Sequence, residues 1–184
     1  SRPALEALAA DAGFEPGRTA VFAGRLDRPT ALEHVRALDC VVIPRRDLPV
    51  TRSVGPLKPI EAMALGRPVV MSALPPLREL ALPPATAQAP VAASASASPA
   101  GSVGSTSPGL SASAGPGSGV TALLARPDDD VDLARAIRAT IEDADGGLAG
   151  RLEAGRRLAA SRTWGAAAAT YARIYAGLAG QRAR

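Results

Sequence analysis

Lys58 and Glu61 stand three residues apart in the run Pro56-Leu57-Lys58-Pro59-Ile60-Glu61-Ala62-Met63-Ala64-Leu65-Gly66, and chemistry could sit at that spacing. Pro59 suits the first position of a helix, the residues to Leu65 suit its body, and Gly66 suits its end. A helix start offers backbone N–H groups without intrahelical partners and the positive end of the helix dipole, which together make a ready anion site. Leu57, Lys58, Ile60 and Glu61 carry such N–H groups, whereas Pro56 and Pro59 do not. Lys58 adds a cation beside them, and Arg45, Arg46 or Arg52 could add more. Glu61, one turn in, could accept hydrogen bonds from a ligand's hydroxyls. Its plainer reading is the preference of acidic residues for a first helical turn.

Other chemistries find little support. His34 is the single histidine, and its isolation argues against a metal site. Cys40 is the single cysteine, which excludes an internal disulfide and a cysteine-rich zinc site; inside the apolar run Cys40-Val41-Val42-Ile43 it reads as a small buried hydrophobe. The chain is mildly basic, at formal charge +4, but its arginines are scattered and aromatics make up only 3%. A nucleic-acid surface would need a basic face interleaved with stacking residues, and none is visible. No segment approaches the ~20 apolar residues that span a bilayer. With no signal peptide in view, the sequence reads as cytoplasmic.

The elements that must position these residues alternate. Helices are expected over Arg2–Ala12, Pro29–Leu38, Pro59–Leu65, Leu77–Ala81, Val131–Ala144, Leu148–Ala160 and Trp164–Leu178. Strands are expected over Thr19–Ala23, Cys40–Ile43, Pro68–Met71 and Val120–Ala125, and a Pro- and Arg-rich loop over Pro44–Pro56. The strands are continuous apolar runs, as sheets buried on both faces require. The class is therefore α/β, a Rossmann-like parallel sheet with helices on both faces. Asp129 or Asp130 is the expected cap of the helix after the last strand, whose Leu133, Ile137 and Ile141 would form one apolar face. Tyr171, Ile174 and Tyr175 form a stripe suited to core or domain-interface packing. Residues 83–119 change abruptly to Ala, Ser, Pro and Gly without one charge, and read as a disordered surface insertion. It divides the domain into a first part, residues 1–82, and a remainder with C-terminal helices, residues 120–184.

The string Pro56-Leu57-Lys58-Pro59-Ile60-Glu61-Ala62-Met63-Ala64-Leu65-Gly66-Arg67-Pro68-Val69-Val70 resembles the donor-site signature of the retaining GT-B glycosyltransferases of family 4. Val21-Phe22-Ala23-Gly24 ahead of it, Ala37-Leu38-Asp39 with Val41 to Pro44, and Leu74-Pro75-Pro76-Leu77-Arg78-Glu79 after it agree in order and spacing. The tail from Ser161 through Trp164, Tyr171 and Tyr175 is similar to the family's closing helix, which runs back toward a first domain. The resemblance covers nearly the whole chain outside the insertion.

That resemblance implies the C-terminal, donor-binding domain of a GT-B fold, incomplete at its N-terminus. It implies transfer with retention from a UDP- or GDP-sugar to an unknown acceptor, with no cofactor and no obligatory metal. The diphosphate would sit on Lys58 and the helix tip, and Glu61 would hold the ribose hydroxyls; these two are the catalytic candidates. Gly24, Arg25 and Leu26 would hold the base, although a plain turn after a strand explains them too. Arg52, Ser53, Pro56 and Leu57 complete the expected donor site. Glu79 would approach the donor or only favour its own helix dipole. The expected partners are the nucleotide-sugar donor and an acceptor-binding N-terminal domain upstream of Ser1, and the resemblance leaves room for peripheral membrane association of the full enzyme.

The chain also departs from the family. The family carries two glutamates with seven residues between them, and Ser53 stands at the place of the first. The rival reading is a degenerate, non-catalytic nucleotide-sugar-binding or scaffold module, for which Ser53 speaks and Glu61 does not. A GT-B epimerase fits the tail and the Glu61-Ala62-Met63-Ala64 context less well.

Overall fold

Three short strands, β1 (Val41–Ile43), β2 (Val69–Ser72) and β3 (Leu123–Ala125), pair in parallel in the order β1-β2-β3. The registers put Val41 opposite Val69, and Val70 opposite Leu123. The structure is a computed structural model that describes residues 2–82 and 119–182. The expected disordered insertion, all but Gly119, lies outside the described residues. The chain divides into two units, Ser1–Ala37 and Leu38–Arg184.

The second unit holds the sheet. All four residues of β2 are buried, which requires cover on both faces of the sheet. α6 (Asp130–Ile141) packs on β2 and β3, placing Ala136, with Leu133 and Ile137 partly buried, against Val70 and Ala125. Side chains alternate along a strand, so Val69 and Met71 take the opposite face from Val70. α4 (Lys58–Ala64) packs on β1 and β2 and against α7 (Leu148–Ser161), burying Ala62 and Met63. α5 (Pro75–Ala81) contributes the buried Leu77, Leu80 and Ala81. Cys40, half-buried just ahead of β1, joins the α6 side, and burial raises its thiol pKa. The Rossmann-like α/β class expected from the strand runs is what the unit adopts.

Capping residues act as their types dictate. Asp129 accepts the Asp132 N–H at 2.8 Å and caps α6. Gly66 ends α4 in a left-handed turn at φ +66, with Gly66 N–H on Met63 O and Arg67 N–H on Ala62 O, the paired bonds of a Schellman motif. Gly13 ends α1 (Arg2–Asp11) the same way, through Ala10 O and Ala9 O.

Four expectations need correction. No strand forms over Thr19–Ala23. The amides of Arg18, Thr19 and Ala20 instead fold onto Glu15 O, and one isolated bridge joins Pro16 and Ala20. The run has β propensity but, in its unit, no neighbouring strand among the described residues to complete a ladder. The loop after β1 contains a short helix, α3 (Pro49–Ser53), with Pro49 at its start. Of the expected apolar face of α6, Leu133 and Ile137 pack on the core beside the buried Asp132, Ala136 and Thr140, but Ile141 is exposed; ion pairs let Asp132 turn inward. Tyr171, Ile174 and Tyr175 on α8 (Trp164–Arg182) are at least half exposed, so the stripe forms no core within the described unit.

The first unit carries α1 and α2 (Arg28–Ala37), neither with a buried residue. Asp27 caps α2 by accepting the Thr30 N–H at 2.9 Å and its hydroxyl at 3.1 Å. These bonds hold the Asp27 carboxyl below its ordinary range.

Candidate functional site

Lys58 and Glu61 sit in the first turn of α4, both exposed, and neither side chain has a partner among the described residues. Beneath them the helix is fixed. Pro59 is fully buried, and Met63, 2% exposed, packs against Gly155 of α7. The helix therefore presents its two charged groups from a rigid base.

The tip offers fewer free amides than the sequence suggests. Leu57 at the N-cap is already helical, at φ −80 and ψ −22, so its carbonyl accepts the N–H groups of both Ile60 and Glu61, at 3.0 and 3.1 Å. Pro59 occupies the second helical position rather than the first. Leu57 and Lys58 are thus the N–H groups left without a partner at this tip among the described residues.

The loop before α4 is tied down at several points. Arg45 N–H donates to Ser72 Oγ at 2.8 Å, and its guanidinium donates to Val54 O at 2.6 Å. Thr51, buried, donates its hydroxyl to Arg46 O at 2.6 Å and accepts the Leu48 N–H at 2.9 Å. Arg52 grips Asp47 through Nε and Nη2, at 2.5 and 2.7 Å, and that guanidinium holds the Asp47 carboxyl below its ordinary range. Arg46 pairs with Asp128 at 3.4 Å. Ser53 donates its hydroxyl to Pro49 O at 3.1 Å. Arg46 and Arg52, expected as spare cations, are both engaged with carboxylates.

Gly24, Arg25 and Leu26 belong to the first unit. Gly24 has φ +73, and a Cβ there would meet only Arg2 Nη1, at 3.9 Å; backbone conformation, not space, selects the glycine. Arg25 is exposed and Leu26 half-buried.

A cavity of about 310 Å³ opens at the carboxyl ends of the strands, lined by Arg45, Arg46, Ser72, Arg126, Asp128 and Leu133 among others. A larger one, about 570 Å³, runs along the outer face of α6 and touches none of the candidates. The strand-end cavity has the stronger functional claim, because ligands of parallel α/β sheets bind outside the carboxyl ends of the strands. Ser72, Arg126 and Asp128 went unnoticed in the sequence. Their places, Ser72 at the end of β2 and Arg126 and Asp128 just after β3, were the available signal.

The family model for glycosyl transferases group 1 matches residues 1–97, more than half of the 184 residues, and that span includes α4 and the loop before it. The chain belongs to the group 1 glycosyl transferases. No curated protein matches it at the sequence level. Among solved structures, this group 1 glycosyl transferase is similar to sucrose-phosphate synthase from Thermosynechococcus elongatus, with a TM-score of 0.63 and 23% identity. The similarity covers 98% of this chain and 35% of that one, so the chain spans about a third of that protein's length. It supports the Rossmann-like architecture of a GT-B glycosyltransferase. Among the described residues no helix is long and apolar enough to cross a membrane.

Proposed function

We propose that this chain is the donor-binding part of a retaining glycosyltransferase that uses a UDP- or GDP-sugar without a bound metal, in the cytoplasm, and that an acceptor-binding domain outside this chain completes the enzyme. One observation carries the reading: in the stretch matched by the family model, Lys58 and Glu61 stand exposed and unpartnered on the first turn of a firmly packed helix. In this reading the diphosphate meets Lys58 and the N–H groups of Leu57 and Lys58. As the bond from the sugar to the diphosphate breaks, charge gathers on the departing phosphate, so these groups stabilise the transition state more than the bound substrate. Glu61, one turn deeper, accepts the ribose hydroxyls and positions the leaving group. Pro56 is assigned to the entrance of the turn.

A second reading, a non-catalytic nucleotide-sugar-binding module, is favoured by Ser53 and Arg52. Ser53 stands where an acidic donor contact is expected, and its hydroxyl is spent on Pro49 O. Arg52 is held by Asp47.

Calorimetric titration of UDP, GDP and inorganic pyrophosphate against the native chain and Glu61→Ala tests the donor site. Hydrogen bonds to a charged group contribute about 1.5–3 kcal/mol, so the substitution is expected to weaken one nucleotide about tenfold to a hundredfold. Pyrophosphate, lacking ribose, should lose nothing. Equal nucleotide affinity in both proteins would remove Glu61 from the site.

A further inference from the structure

Backbone and side chain pull in opposite directions at Asp128. Its φ of +56 lies in the left-handed region, where glycine is at ease and a Cβ is not, although a short polar side chain eases the misfit. Its carboxylate nonetheless spans to the loop after β1. Oδ2 accepts the Asp47 N–H at 2.9 Å, and Oδ1 lies 3.4 Å from Arg46 Nε. The contact joins residues 81 positions apart, and ties the turn after β3 to the segment that carries Arg52 and Ser53 and leads into α4.

The other anchors of that segment do a different job. Thr51 and Arg52 stitch it to itself, through Arg46 O and the Asp47 carboxylate. Ser72 holds it at Arg45, at its root on the sheet. α3 packs on α5, whereas Asp128 reaches the loop ahead of α3 from the far side of the strand-end cavity, and it lines that cavity together with Arg45 and Arg46. A glycine at position 128 would suit the backbone and lose both contacts.

We propose that Asp128 is a positioning residue that clamps the loop after β1 across the strand-end cavity, and thereby fixes the loop leading into the nucleotide-binding tip of α4. The clamp stands on its own geometry, and only its effect on nucleotide affinity rests on the function proposed above. Asp128 also engages Arg46, whereas Lys58 has no carboxylate partner among the described residues.

The test compares the whole chain with Asp128→Gly and Asp128→Asn. Hydrogen exchange at the Asp47 amide and trypsin cleavage after Arg45, Arg46 and Arg52 read the loop without any ligand. Glycine should leave the melting temperature unchanged or higher, yet speed Asp47 exchange and loop cleavage several-fold and weaken UDP or GDP binding several-fold. Asparagine keeps an acceptor oxygen for the Asp47 N–H and tolerates the left-handed backbone, so it should restore most of the protection. Unchanged Asp47 exchange in Asp128→Gly overturns the clamp. Faster exchange with unchanged nucleotide affinity overturns the positioning role. A native chain that binds neither nucleotide refutes the donor-site reading and the positioning role with it, while the exchange comparison still decides the clamp.

Discussion

Replacing Gly155 by alanine sets two effects of opposite sign against each other. In a helix interior, alanine is favoured over glycine by about 0.8–1 kcal/mol through backbone entropy. A Cβ on Gly155, however, would lie 3.1 Å from Met63 Cγ and 3.3 Å from Met63 Cβ. Carbon atoms prefer about 3.5–4.0 Å, so both contacts are short by several tenths of an ångström. Met63 Cβ is fixed to the backbone of α4, and the side chain is 2% exposed with no outward path. Either α4 moves off α7 or Met63 leaves its rotamer, and overpacking of this kind costs about 1–3 kcal/mol. Sterics win, and the expected net loss is about 1 kcal/mol, or about 2–4 °C in melting temperature for a chain of this size. Gly150, near the start of the same helix, is the control: nothing lies within 4 Å of a Cβ there, so Gly150→Ala should stabilise. Denaturant unfolding of both variants, and of each combined with Met63→Ala, reads the signs and the coupling. Met63→Ala alone should cost about 2–5 kcal/mol. The Gly155→Ala and Met63→Ala pair should cost less than the sum, because the truncated side chain makes room. A Gly155→Ala protein as stabilised as Gly150→Ala, with additive behaviour toward Met63→Ala, would refute the close-packing account.

Two further outcomes follow from the hydrogen bonds. Thr51→Val keeps the volume but removes the hydroxyl that joins Arg46 O to the Leu48 N–H; a loss of about 1–2 kcal/mol in chemical unfolding, with faster tryptic cleavage after Arg52, is expected. Acid should destabilise the fold through Asp132 and Asp145. Burial alone would raise Asp132, but the Arg126 N–H and the guanidinium of Arg135 outweigh it; Arg151 lowers Asp145. Both carboxyls have folded values below the unfolded 3.8, so their contribution is complete above that pH and fades as pH falls through the lowered folded values. Unfolding from pH 6 down to pH 2 should therefore be flatter in Asp132→Asn than in the native chain, and parallel curves would exclude Asp132.

Much of the fold was legible because its signals are local. Gly66 closes a helix because a left-handed residue must follow the last turn, and Asp129 caps one because its oxygen reaches the amide three residues on. The strands around Val41, Val69 and Leu123 were visible as apolar runs. α3 was not visible, since a single turn has no periodicity and Pro49 fits a loop equally well. The Thr19–Ala23 run carried real propensity, but a ladder depends on a neighbour that propensity cannot supply. The place of Lys58 and Glu61 at a helix start was also legible, from Pro59 and Gly66 around them. The engagement of Arg52 by Asp47, and of Arg46 by Asp128, could not be, because five and 82 residues separate the partners and the loop geometry decides the contact.

Those engaged arginines sharpen the case for the two groups left over. Arg46, Arg52 and Arg126 each face a carboxylate, so an anion would have to compete for them. Lys58 and Glu61 are opposite charges three residues apart on one helix and still do not pair. Lysine on the N-terminal side of glutamate is the weaker order for such a pair, and at this helix start Glu61 lies with the dipole and Lys58 against it. A cation at the tip and an acceptor about 4.5 Å deeper along the axis would be a poor arrangement for a bare anion, which the carboxylate repels. The same arrangement suits a ligand that places negative charge at one end and hydroxyl donors beside it. A nucleoside diphosphate has that polarity, and inorganic pyrophosphate does not.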